Sequence, residues 1–175
     1  MDIAGNTVIL RALEEQDSKM LQNLIEDPET AKVTGGYSAS VSYEHQMDWF
    51  LSAAGPSLCL RGVIADRENP REALGVIVLS NVDSDKKTAE IYIKLMKSAR
   101  RKGYGQDAVT ALVSYGFSRM GLSCIYSSIL EYNTASRRLF EKCGFRQEGI
   151  HKRGAGRDGR PRTVCVYRKI NENCP

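Results

Sequence analysis

Apolar and polar positions divide the chain into two styles. Val8-Ile9-Leu10 is a short apolar run of strand length. Over residues 14–26, flanked by Leu13, the apolar residues Met20, Leu21, Leu24 and Ile25 recur at helical spacing and predict an amphipathic helix. Gly35-Gly36 breaks the chain. Ser42, a good N-cap, then opens a second helix through Trp49, Phe50 and Leu51, closed by Gly55-Pro56. Three strand-like runs follow, at 58–65, 73–79 and 88–95, separated by polar turns at 68–71 and 83–87; they read as a meander.

The second half changes character. Glycines at 103 and 105 open a helix with Ala108, Ala111, Leu112 and Tyr115 on one face, and Gly121 ends it. Residues 124–130 read as a strand, and 133–142 as a short helix stopped at Gly144 by a left-handed C-terminus. Phe145 starts another strand, and 164–167 centres the last. The order β-α-α-β-β-β-α-β-α-β-β predicts a mixed α/β domain: a mostly antiparallel sheet of about seven strands flanked by helices.

Composition narrows the class. With 175 residues, 42% hydrophobic and 26% charged, the chain suits one domain with a sizeable core and excludes disorder or a coiled coil as the main architecture. No apolar run reaches the roughly 20 residues of a spanning helix. Residues 1–5 carry no basic or apolar leader pattern, so the expected address is cytoplasmic, with no membrane partner. Cysteines at 59, 124, 143, 165 and 174 form no Cys-x-x-Cys pair. Two histidines are too few to complete a zinc site with them, so no metal is expected. Charge is lopsided: residues 1–90 hold 8 Lys/Arg against 15 Asp/Glu, and residues 91–175 hold 17 against 6. The basic half shows no nucleic-acid module, so no nucleic-acid partner is expected.

The strongest local signal is Arg100-Arg101-Lys102-Gly103-Tyr104-Gly105-Gln106, between a strand and a helix. Glycines there leave backbone N–H groups uncovered by Cβ atoms, and a helix N-terminus attracts anions such as a pyrophosphate. A Walker A loop lacks its lysine-serine end here. The dinucleotide fingerprint would need a glycine where Ala108 stands. A tight strand–helix turn with solvated cations is the plain alternative. Further on stands Asn133-Thr134-Ala135-Ser136, followed by Glu141-Lys142 and Gly144-Phe145.

These two blocks resemble the GNAT superfamily of N-acetyltransferases, whose acetyl-CoA loop is Arg/Gln-x-x-Gly-x-Gly/Ala. The match falls on Arg100, Gly103 and Gly105. The tail, with Glu148-Gly149 and Asp158-Gly159-Arg160, resembles the branch of ribosomal-protein N-terminal and spermidine acetyltransferases. The resemblance runs over nearly the whole chain as a single domain, core 7–170. It implies a three-layer fold whose central strands splay apart, acetyl-CoA as cosubstrate, and transfer of an acetyl group to a primary amine in a ternary complex. The implied cofactor-binding residues are Leu95, Arg100, Arg101, Lys102, Gly103, Tyr104, Gly105, Gln106, Asn133 and Ser136. Asn133 is also a natural helix N-cap.

An amine protonated at neutral pH must lose a proton before attack, and Glu90 is the candidate base, acting through water. Strand alternation puts Thr88, Glu90, Tyr92 and Lys94 on one face. The plain alternative for Glu90 is a surface carboxylate paired with Lys94. The family's usual tyrosine acid falls at Phe140, which cannot donate; Ser136, Tyr132 or water remain for that role. Cys143 reads as a core thiol. For the acceptor, Glu26, Asp27 and Glu29 suit a cationic amine, whereas Lys152, Arg153, Arg157, Arg160 and Arg162 suit an acidic one. The competing reading is a non-catalytic acyl-CoA-binding module. A homodimer is compatible with the branch.

Overall fold

In a computed structural model, described over residues 2–33, 58–155 and 161–172, the alternating apolar runs line up as strands of one sheet. The elements are β1 (Ile3–Ala4), β2 (Val8–Arg11), α1 (Ser18–Glu26), α2 (Pro28–Val33), β3 (Leu58–Asp66), β4 (Ala73–Asp83), β5 (Thr88–Leu95), α3 (Tyr104–Ser118), β6 (Cys124–Leu130), α4 (Thr134–Lys142), β7 (Arg146–Ala155) and β8 (Pro161–Ile170). The sheet has eight described strands in the order β1-β2-β3-β4-β5-β6-β8-β7. Every neighbouring pair is antiparallel except β5 and β6.

The meander appears as expected, with β4 running four residues past its expected end at 79. β1 has only two residues, too short to leave a periodic signal. α2 was not foreseen: its start is set by Asp27, whose carboxylate accepts from the Glu29 and Thr30 amides. The expected helix from Ser42 to Leu51, with Trp49 and Phe50, lies outside the described residues.

The sheet's two faces hold separate cores. On one, Ile77, Leu79, Ala89 and Ile91 pack with Ala108, Val109, Leu112 and Val113 of α3 and Phe140 of α4. On the other, Val63 and Val76 meet Met20, Leu21 and Leu24 of α1. At the junction of β2 and α1, Arg11 grips Asp17 bidentately, both contacts at 2.7 Å and both groups buried. α4 ends as foreseen at left-handed Gly144 (φ 82°), with the Phe145 amide closing back on Phe140 at 3.0 Å. No described helix is long and apolar enough to cross a membrane.

Candidate functional site

β5 and β6 pair over three residues only: Thr88 with Cys124, Ala89 with Ile125, and Glu90 with Tyr126. β5 then continues to Leu95 hydrogen-bonded to β4 alone, while β6 continues to Leu130 bonded to β8. The two strands therefore part beyond Glu90 and Tyr126, leaving a wedge in the middle of the sheet. This is the opening that the splayed-strand expectation required.

The glycine loop stands at the mouth of the wedge. Arg101 (φ 62°) and Gly103 (φ 89°) are both left-handed and turn the chain sharply into α3. Gly103 is the N-cap of α3, with no side chain capping it, and a Cβ built there would meet nothing within 4 Å. The first amides of the helix have no intrahelical partner, and no side chain caps them. Their dipole end suits an anion. Arg101 and Lys102 are exposed beside them.

The other loop residues divide their tasks. Gly105 is buried: a Cβ there would lie 3.0 Å from Leu95 Cδ1 and 3.4 Å from Leu139 Cδ2, so glycine lets α3 start close against both β5 and α4. Tyr104 turns away, its hydroxyl donating to Asp66 at 3.3 Å. Gln106 is exposed, and its carbonyl lies 3.8 Å from Cys143 Sγ. Asp107, one residue further on, accepts from Asn6 N (2.9 Å), Thr7 N (2.6 Å), Thr7 Oγ1 (3.0 Å) and Val8 N (3.0 Å), mooring α3 to the β1–β2 turn.

Arg100 is not a loose cation beside the loop. Its guanidinium ion-pairs with Asp27 and with Glu29 (2.7 Å), donates to Thr30 Oγ1 at 2.9 Å, and sends Nε to the Leu95 carbonyl at 3.1 Å. Lys97 adds a looser contact to Glu29 at 3.8 Å. The acidic charge read from Asp27 and Glu29 is therefore largely met within the chain. Sequence distance, about seventy residues, hid this clamp.

On the far side of the wedge, Asn133 N-caps α4, its Oδ1 accepting from Ser136 N at 3.1 Å. Asn133 and Ser136 follow β6 at the end where it has parted from its parallel neighbour β5. Leu95 with the 101–106 loop, and Asn133 with Ser136, thus stand at the ends of the two parallel strands that part beyond Glu90 and Tyr126.

Glu90 occupies the apex. It is 6% exposed, so it is not a surface carboxylate. Its Oε2 accepts from Asn81 Nδ2 at 2.9 Å. Tyr126, its register partner, has its hydroxyl held protonated above the usual range, by burial first and then by the Glu90 charge. Neither Asn81 nor Tyr126 was singled out in the sequence; an asparagine within a strand run, a residue tolerant of left-handed backbone, was the available signal. Phe140 is 1% exposed and packs edge-on to Phe145, ring centres 4.9 Å apart. Tyr132 is exposed at the end of β6. Cys143 is buried and its thiol is pushed up by burial. Among the described residues, no group of three His, Cys, Asp or Glu is arranged to hold a metal.

Comparison with known proteins agrees with this geometry. Residues 7–146 match the model of the acetyltransferase (GNAT) domain. The chain is 28% identical over 162 residues to an uncharacterised N-acetyltransferase, YoaA, of Bacillus subtilis, covering 91% of each. Among solved structures it resembles a GNAT-family acetyltransferase of Bacillus anthracis (TM-score 0.82, 23% identity, 97% of this chain and 98% of that one). It also resembles the spermidine N-acetyltransferase of Vibrio cholerae in complex with CoA and spermine (TM-score 0.80, 22% identity, 94% and 95%).

Proposed function

Because the chain belongs to the GNAT family of acetyltransferases, we propose that it moves an acetyl group from acetyl-CoA directly to a primary amine while both are bound. The observation that carries this reading is the parting of β5 and β6 immediately beyond Glu90 and Tyr126, with uncapped amides of α3 at the mouth and a buried carboxylate at the apex.

The loop amides of residues 101–106 would hold the diphosphate, with Arg101 and Lys102 adding positive charge. The stretch of β5 facing the wedge would meet the pantetheine arm and, through a strand N–H near Leu95, the oxygen on which charge develops. Asn133 would meet the arm from the β6 side. Glu90 takes a proton from the acceptor amine through water. The freed nitrogen lone pair forms the C–N bond, the C–S bond breaks, and the departing thiolate takes its proton from solvent. Arg100 acts from behind, fixing β5's end and α2 rather than touching phosphate.

The acceptor is a protein N-terminus, a polyamine or another small amine. The engagement of Asp27 and Glu29 by Arg100 supports an acceptor with one reacting amine over one needing an acidic trough. The test is thiol release from acetyl-CoA with spermidine, spermine, an aminoglycoside and an unblocked serine-starting peptide, with Glu90→Gln alongside. Turnover with one acceptor, lost in the variant, is expected. Tight CoA binding without any turnover would favour the acyl-CoA-binding module.

A further inference from the structure

Glu90 is flanked by a device built into β4. Between the pairs Ser80–Glu90 and Asp83–Thr88, β4 contributes Asn81 and Val82 where β5 contributes only Ala89. This is a β-bulge, and Asn81 sits in it with left-handed backbone (φ 50°). By strict alternation Asn81 would project with Leu79 toward the α3 side. The bulge instead brings its amide to the face of Glu90, where Nδ2 donates to Oε2 at 2.9 Å. Glu90 is buried, and Asn81 is the hydrogen-bond donor to it among the described residues. A carboxylate removed from water needs such a donor to stay charged and to keep one orientation.

We propose that Asn81 is the positioning residue for Glu90: its amide occupies Oε2 and leaves Oε1 as the oxygen that receives the acceptor's proton. This rests on Glu90 being the base in the reading above. The proton passes from the amine through water to Oε1, and the electron pair it leaves behind forms the C–N bond as the thiolate departs. Tyr126, the register partner of Glu90, is held as a phenol by burial and by the Glu90 charge, and its hydroxyl also meets the Asn81 side chain.

A bulge that merely needs left-handed backbone would accept asparagine, aspartate or glycine alike. That equivalence supplies the test. Asn81→Gly keeps the bulge and removes the amide; Asn81→Asp keeps the shape and sets a second carboxylate against Glu90. Both are assayed by thiol release with spermidine, spermine and a serine-starting peptide, with CoA affinity by calorimetry and thermal melts in parallel. The expected result is a fall in kcat of about tenfold for Asn81→Gly, the size of a lost hydrogen bond to a charged group, and at least as much for Asn81→Asp. The KM for the acceptor and CoA affinity should stay near those of the parent, while the melting temperature falls by a few degrees because the buried carboxylate has lost its donor. Both variants at parental kcat, with Glu90→Gln inactive, would overturn the positioning role and leave the base standing. Glu90→Gln at full activity, or a parent chain inactive with every amine, would overturn both.

Discussion

The Nε of Arg100 donates to the carbonyl of Leu95 at 3.1 Å, across the turn that leads from β5 into the glycine loop. The rest of the same guanidinium is held by Asp27, Glu29 and Thr30 of the α2 segment. One cation therefore fastens three things: the end of the strand that edges the wedge, the first residue of the loop, and a helix from the first half of the chain. Its charge is spent on architecture, and the open positive charge at the loop falls to Arg101 and Lys102.

Asp27 reports on that clamp. Burial alone would raise its carboxyl, but hydrogen bonds from Thr30, Arg100 and the Glu29 amide bring it down to about 2 from an ordinary 3.8. A carboxyl depressed in the folded state stabilises it above the unfolded value, and that gain disappears as pH falls through the folded one. Asp27→Asn should cost about 1–2 kcal/mol at pH 7, after allowing for solvent screening. The gap from the parent should close between about pH 4 and pH 2. Urea titrations across that range check it; a penalty independent of pH would mean the loss comes from the helix cap alone.

Gly103→Val should weaken CoA binding far more than it weakens the fold. The left-handed φ of 89° is costly for a β-branched residue, about 1–2 kcal/mol, yet nothing within 4 Å would clash with the new Cβ. The added side chain instead stands over the helix amides. Calorimetry with CoA should show at least a tenfold loss of affinity, the equivalent of about 1.4 kcal/mol, in a chain that still melts cooperatively. Unchanged affinity would place the diphosphate elsewhere.

Asp107 provides a second acid-sensitive tie. Burial would raise its carboxyl, but the amides of Asn6, Thr7 and Val8 and the Thr7 hydroxyl hold it below the ordinary value. Its stabilisation is likewise present at neutral pH and lost in acid. Asp107→Asn turns an amide donor toward three backbone donors and should cost about 1–3 kcal/mol at pH 7. Hydrogen exchange should show the β1–β2 turn opening first; exchange spread evenly over the sheet would count against a local mooring.

The strands and the loop were legible because each rests on a local pattern. Val8 to Leu10, the meander and Cys124 to Leu130 carry runs whose side chains are buried where they stand, and Gly103 and Gly105 answer to local backbone demands. The parting of β5 from β6 entered through family resemblance, since no residue pattern within either strand announces where pairing stops. The Arg100 clamp and the Asn81 amide were not legible for different reasons. The first joins charges distant along the chain. The second depends on a bulge, and a one-residue slip reverses the face that alternation assigns.

Direct transfer, as opposed to an acetyl-enzyme, can be tested at Cys143, a thiol packed against the Gln106 carbonyl of the glycine loop. A nucleophilic cysteine needs a thiolate and a path to the substrate. Cys143 is 6% exposed, its Sγ lies 3.8 Å from the Gln106 carbonyl, and burial raises its pKa more than Thr110 and Lys169 lower it. It is a packing residue between α4 and the first turn of α3. Cys143→Ala should therefore keep kcat within about twofold while costing about 1–2 kcal/mol for the lost contacts. Initial-rate patterns with two varied substrates should intersect, and mass spectrometry of the enzyme with acetyl-CoA alone should show no added acetyl group on this residue. Parallel lines together with a labelled Cys143 would replace the ternary mechanism by a two-step one and leave Glu90 to activate a thiol.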